Sequence, residues 1–188
     1  MTIEKVTPQD AAALLEIYAP YVEQTAISFE TVAPSVEEFT ERIVNISARL
    51  PYIKAVEDGK ILGYAYAGSF KGRKAYDWSV ETTIYVRGEC RKSGVGRVLY
   101  DALEKSLKGM GILNLNACIA FTRNENDAHL TNDSMHFHEH MGYRLVGEFE
   151  KCANKFDTWY NMIWMEKHIG NHEEGVPVPN PDFGNWTL

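Results

Sequence analysis

The sequence is poor in cysteine, and its three, Cys90, Cys118 and Cys152, lie far apart with no C-x-x-C pair. An odd, dispersed set is neither a disulfide framework nor a cysteine zinc site. Positive charge is also short: 19 Lys and Arg face 26 Asp and Glu, a net charge of −7. A general nucleic-acid binder carries the opposite excess, so nucleic acid is not an expected partner. No apolar run approaches the roughly 18 residues that a membrane-spanning helix needs, so neither is a membrane. The opening Met1-Thr-Ile-Glu-Lys lacks the basic-then-apolar plan of a signal peptide. A cytoplasmic protein with reduced thiols is expected. Internal repeats and low-complexity runs are missing too. What is present is 188 residues, 45% hydrophobic and 24% charged. That balance excludes a disordered chain and fits one soluble domain.

Residues 2–7 read as a short strand, and Pro8 opens a helical pattern with Leu14, Ile17, Tyr18 and Tyr21 on one face. Ser35 caps a second helix, with Glu38 completing a capping box and Phe39, Ile43 and Ile46 inward. Asp58-Gly59 joins strands at 52–57 and 60–67 as a hairpin. Residues 76–86 alternate as a strand, with Val80, Ile84 and Val86 on one face and Glu81, Thr83 and Tyr85 on the other. An amphipathic helix starts at Gly94, a buried strand spans 112–120, and a polar loop spans 121–132. A helix near 133–141 and strands near 143–150 and 157–166 complete the pattern. The order β-α-α-β-β-β-α-β-α-β-β predicts an α/β fold with a mixed sheet and helices on both faces. The domain is expected over 1–167, followed by a proline-spaced extended tail at 168–188. Phe183 and Trp186 in that tail are suited to packing on the body or on a partner chain.

The most informative segment is Arg91-Lys92-Ser93-Gly94-Val95-Gly96-Arg97, between a strand and a helix. Glycines there let backbone approach a ligand, and the first-turn N–H groups of a helix attract an anion. Residues 87–108 hold six basic and three acidic residues, +3 in a −7 chain. A tight connection is the alternative reading. The Walker pattern is absent, and Leu99 stands where the dinucleotide fingerprint needs its third glycine.

The stretch IYVRGECRKSGVGRVLYDALE resembles the strand–loop–helix of the GNAT N-acetyltransferases, whose R/Q-x-x-G-x-G/A motif binds the pyrophosphate of acetyl-CoA. Arg91, Gly94 and Gly96 fit that motif. Ser134-Met-His-Phe-His-Glu-His-Met-Gly142-Tyr143 resembles the helix and turn of the same superfamily. SFETVAPSVEEF, Gly63-Tyr64-Ala65-Tyr66, Arg73 to Glu81 and Lys155 to Tyr160 are similar to its phosphinothricin acetyltransferase-like branch. The likeness spans about residues 2–167. It implies a mostly antiparallel sheet with one splayed parallel pair. It also implies acetyl-CoA as cosubstrate, no metal, and a homodimer. Main-chain groups of Ile84, Tyr85 and Val86 are expected beside the cofactor, with Arg91, Lys92, Ser93, Gly94, Val95, Gly96 and Arg97 around its phosphates. Ser134 and Asn132 join them; the family's Asn position is Thr131 here, so the contact is expected one residue along.

Acetyl transfer to an amine needs a base, and a departing thiolate benefits from an acid. Glu81 on the central strand is the base candidate; its alternative is a strand Glu paired with Lys or Arg. His138 is the acid candidate, since an imidazole near pKa 6.5 can donate at neutral pH; its alternative is a helix histidine in core or solvent. His136 and His140 share a helix face that excludes His138, so a zinc site is not expected. The resemblance places the acceptor at Phe29, Glu30, Arg73, Tyr76, Lys155 and Tyr160. Arg73 and Lys155 suit an acceptor with a carboxylate or phosphinate. Trp159 and Trp164 read as core. The expected function is N-acetylation of a small amino-acid-like amine of the phosphinothricin, methionine sulfone or methionine sulfoximine type. The alternatives are a peptide N-terminus or polyamine as acceptor, or a CoA-binding module without catalysis.

Overall fold

The computed structural model describes residues 1–179, 186 and 188. Its strands are β1 (Thr2–Lys5), β2 (Tyr52–Glu57), β3 (Lys60–Ser69), β4 (Ser79–Val86), β5 (Asn114–Phe121), β6 (Arg144–Lys155) and β7 (Thr158–His168). Its helices are α1 (Ala11–Gln24), α2 (Val36–Ser47), α3 (Val95–Gly109) and α4 (Asp133–His140). Local chemistry places their ends. Ser35 accepts a hydrogen bond from the Glu38 N–H at 3.1 Å and starts α2. Asp58 and Gly59 take φ of 50° and 76°, the left-handed pair that a tight hairpin requires.

The seven strands form one sheet in the order β1-β2-β3-β4-β5-β7-β6. Every pairing is antiparallel except β4 with β5. That parallel pair is short, covering Ser79↔Asn114, Val80↔Leu115 and Glu81↔Asn116. Beyond Glu81 the two strands part, and β4 continues to Val86 paired with β3 alone.

Alternation along the strands divides the core between two faces. On one face, Ile53, Val80 and Leu115 pack with Leu99, Leu103 and Leu107 of α3. On the other, Tyr52 and Tyr64 pack with Leu14 and Ile17 of α1 and Phe39 and Ile43 of α2. Burying each large aliphatic side chain stabilises the fold by about 1.5–3 kcal/mol. Both faces of β4 are therefore covered, which fixes its register and the direction of each functional side chain.

Four expectations are corrected. The central strand begins at Ser79, because Lys74–Tyr76 forms a 3₁₀ turn. Before Ser79, Tyr76 packs on Phe70 and Trp78 bonds to Pro177, and neither is in the strand. β6 runs to Lys155, interrupted by an irregularity between Phe149 and Ala153 that the polar residues there had disguised as a loop. Trp159 is 61% exposed rather than core, and Trp164 is half-buried against Phe70. The tail does pack back in part. Trp78 Nε1 donates to Pro177 O at 2.9 Å, and Lys5 Nζ donates to Trp186 O at 2.7 Å. Trp186 is buried in the core on the α3 side, while Pro181 and Phe183 lie outside the described residues.

Candidate active site

The parting of β4 and β5 opens a cleft whose walls include Ile84, Tyr85, Ala120, Ser134 and His138. The turn into α3 lies beyond the C-terminal end of β4. Gly94 takes φ of 91° with open space where a Cβ would stand, so the turn is left-handed and accessible. The first helical bond runs from Val98 N–H to Gly94 O at 3.2 Å. The N–H groups of Val95, Gly96 and Arg97 are thus left for an anion. Lys92 and Arg97 are exposed beside them, and Ser93 Oγ donates to Cys90 O at 2.6 Å. Arg91 is held rather than free: its Nε donates to the Tyr21 hydroxyl at 3.3 Å, and its guanidinium lies 4.9 Å from that ring. Gly96 also serves packing, on the side away from its N–H. A Cβ there would stand 3.1 Å from Phe137 Cε2. Val95 points its side chain into the core.

Glu81 stands at the apex of the cleft, the last paired residue before the strands part. Among the described residues no hydrogen bond or ion pair engages its carboxylate, a departure from the paired strand Glu that was the alternative. Burial pushes its pKa up, opposed by the Lys71 ammonium. Lys71 lies over the rings of Phe70 and Trp164, at 5.0 and 5.6 Å. A half-buried, unpaired carboxylate with raised proton affinity is chemically a base.

His138 is 3% exposed and lines the cleft. Its Nδ1 donates to Ser134 O at 2.7 Å, and the Tyr100 hydroxyl stands 3.0 Å from Nε2. Burial holds its pKa down at about 4. The ring is therefore neutral at pH 7, with Nδ1 protonated and Nε2 accepting from Tyr100. The proton affinity thus lies well below the 6.5 expected of an ordinary imidazole. Asn132 is also committed: its side chain donates to Thr122 O at 2.8 Å and accepts from Thr122 N–H at 3.2 Å. It closes the 122–132 loop and leaves little for a cofactor. Val86 O accepts from the Tyr21 hydroxyl, so that carbonyl too is taken.

The expected acceptor residues fall into two groups. Lys155 is buried and donates to Val22 O and Ser28 O, both at 2.7 Å. It clasps the end of α1 to the loop that carries Phe29 and Glu30, and does not present its charge to a ligand. Tyr160 packs on Phe29 and donates to Asp127 Oδ1 at 3.2 Å, tying in the 122–132 loop. Glu30 pairs with Arg42 at 2.7 Å, and its second carboxylate oxygen is buried without a partner. Arg73 and Tyr76 lie elsewhere, exposed around a cavity of about 270 Å³ that Arg49, Lys71 and Lys74 also line. That cavity includes Ser79 and Val80, so it adjoins Glu81 along β4. Lys71, Tyr21, Thr82 and Tyr100 were not foreseen. Tyr100 had a signal, a phenol placed beside the aliphatic stripe of Leu99, Leu103 and Leu107. Among the described residues no three metal-ligating side chains converge, and no helix is long and apolar enough to cross a membrane.

A sheet opened by a splayed parallel pair, with a helix N-terminus beyond the strand end, makes a cleft that can take an arm along β4 and an anionic head at the helix. The acetyltransferase (GNAT) domain family matches residues 3–164, and the chain belongs to that family. It is an acetyltransferase. A phosphinothricin N-acetyltransferase of Streptomyces viridochromogenes is 32% identical over 166 residues, 88% of this chain and 86% of the relative. An L-methionine sulfoximine/L-methionine sulfone acetyltransferase of Salmonella typhimurium is 24% identical over 176 residues, 92% and 96% of the two chains. Among solved structures, a phosphinothricin acetyltransferase of Sinorhizobium meliloti in complex with AcCoA superposes with a TM-score of 0.82. It is 27% identical and covers 93% of this chain and 94% of that one.

Proposed function

We propose that the chain moves the acetyl group of acetyl-CoA to the primary amine of a small amino-acid-like acceptor that carries an acidic group. The observation that carries this reading is the unpaired Glu81 carboxylate at the apex of the β4–β5 cleft. The residues present fit the cosubstrate. The free N–H groups at the start of α3, with Arg91, Lys92 and Arg97, suit a pyrophosphate. The β4 edge beyond Glu81, unpaired toward β5, suits an amide-bearing arm. Acetyl-CoA supplies an activated acetyl group as a thioester. Glu81 takes the proton from the acceptor's ammonium, which frees the nitrogen lone pair for attack. His138 stays neutral and orients the cleft wall through Ser134 and Tyr100; the new C–N bond forms as the C–S bond breaks, the nitrogen's surplus proton passes to solvent, and the thiolate takes its proton from solvent.

The cationic cavity of Lys71, Arg73 and Lys74 suits the acceptor's acidic end, with Tyr76 beside it. It disfavours a polyamine or another cation. The relatives' named acceptors, phosphinothricin and the methionine sulfoximine and sulfone pair, have this chemistry. A homodimer is part of the proposal. β6 is a free sheet edge that exposes Leu145, Val146 and Phe149, with Trp159 beside them on β7. Sedimentation as a monomer at micromolar concentration overturns the dimer. The test of function is an amine panel with a free-thiol readout: phosphinothricin, methionine sulfone, methionine sulfoximine, a peptide N-terminus and spermidine. Thiol release with the first three supports the reading. Release with spermidine alone reverses the acceptor class. Acetyl-CoA binding without release from any amine favours a CoA-binding module.

A further inference from the structure

On the sheet face that carries Glu81, β3 presents Tyr66, then Gly68, then Phe70 just past its end. Gly68 stands directly opposite Glu81 in the β3–β4 register, and Tyr66 stands opposite Thr83. The face therefore has a notch one residue wide, between two rings, beside the Glu81 carboxylate. Both rings are held. Tyr66 packs on Tyr52, with ring centroids 4.8 Å apart. Phe70 packs edge-on against Tyr76 at 5.8 Å and against Trp164 at 5.5 Å. Trp164 is opposite Cys118 in the β5–β7 register, and Cys118 follows two residues after Asn116, the β5 partner of Glu81. Cys118 is exposed, so the face is open on the β5 side as well.

Nothing in the fold requires glycine at position 68. Its φ lies outside the left-handed region that favours glycine. A Cβ there would meet no atom within 4 Å among the described residues. Gly63 of the same strand shows the contrast: a Cβ there would stand 2.8 Å from Tyr85 O, so close backbone packing demands glycine. A strand glycine without such a reason only weakens its strand. What the missing side chain at Gly68 supplies is room, at a place where a cross-strand neighbour of Glu81 would otherwise stand roughly 5 Å away.

We propose that the notch over Gly68, walled by Tyr66 and by the Phe70–Trp164 pair, receives the amine-bearing carbon of the acceptor. Gly68 then sets the size of the acceptor site. This deepens the function proposed above and rests on Glu81 being the base. An amine that gives its proton to Glu81 brings its nitrogen within about 2.6–3.2 Å of that carboxylate. The carbon that bears the nitrogen lies only about 1.5 Å further on. That carbon and its substituents need the space that a side chain at position 68 would fill. The head of acetyl-CoA does not, because Gly94 and the start of α3 lie beyond the other end of β4.

The experiment is steady-state thiol release by the full chain, with phosphinothricin, methionine sulfone and methionine sulfoximine as acceptors, joined to thermal melting. Gly68→Val is expected to raise the acceptor KM about tenfold, and Gly68→Ala about threefold. The acetyl-CoA KM is expected to stay within about twofold in both variants. The melting temperature is expected to hold or rise, because the added side chain meets nothing and the unfolded chain loses freedom. A merely structural glycine gives the reverse, a lower melting temperature with an unchanged KM. An unchanged acceptor KM in Gly68→Val overturns the proposal. So does an equal rise in the acetyl-CoA KM, or a fall in the melting temperature of Gly68→Ala. If Gly68→Val does not fold, an unchanged acceptor KM in Gly68→Ala overturns it. A wild-type chain that releases thiol with none of the three acceptors is a different outcome, since it removes the function reading and this proposal with it.

Discussion

The buried His138 makes stability depend on pH in a direction opposite to that of an ordinary surface histidine beside a carboxylate. In the unfolded chain its ring takes up a proton as pH falls through about 6.5; in the folded chain it does so only near about 4. Between those values the unfolded state binds more protons, so acid favours unfolding. The stability tied to the neutral ring is complete above 6.5 and is lost as pH falls toward 4. The gap corresponds to about 3 kcal/mol. His138→Gln removes the titration and isolates it from every other group. Urea unfolding of the wild type and the variant at several values between pH 7.5 and 4 checks this. The variant pays a constant penalty for altered contacts with Tyr100 and Ser134. The wild type is expected to lose about 3 kcal/mol more than the variant over the interval. Parallel pH dependences, or a His138 ring that titrates near 6.5 by NMR, refute the neutral-ring account and restore an acid role.

Three further outcomes follow from the site. Glu81→Gln is expected to raise the melting temperature at pH 7–8. Folding raises the Glu81 pKa, so the wild type loses stability as pH climbs through the folded value, and the two proteins converge below about pH 4. Lys155→Met is expected to cost about 2–4 kcal/mol, because it leaves Val22 O and Ser28 O buried without their donor; urea unfolding measures it. Gly96→Ala forces its Cβ to 3.1 Å from Phe137, with an expected destabilisation of about 1–3 kcal/mol by thermal melting.

Much of the fold was legible because its signals are local. The Ser35 cap, the Asp58-Gly59 turn and the α3 stripe each depend on a few neighbouring residues. The glycine turn into α3 was legible for the same reason: Gly94 and the start of the helix are contiguous. What escaped the sequence is long-range. Lys155 reads as a free cation until Val22 and Ser28, more than a hundred positions away in sequence, close around its ammonium. His138 reads as an acid until burial and the Tyr100 hydroxyl define its tautomer. The packing of Gly96 against Phe137 of α4 is likewise distant in sequence. Trp159 reads as core because tryptophan usually is, yet it lies on β7 beside the free edge strand. The side chains that settle each role belong to elements joined only by the completed sheet.

The central claim is that Glu81 serves as the base for acetyl transfer in the β4–β5 cleft. Its most direct test measures free-thiol release from acetyl-CoA, with phosphinothricin as acceptor, for the wild type and Glu81→Gln across pH 6–9. Acetyl-CoA affinity is measured alongside by calorimetry. The account predicts a loss of about 10²–10⁴ in kcat/KM for the variant, with acetyl-CoA affinity unchanged. Full turnover by Glu81→Gln across that range contradicts it.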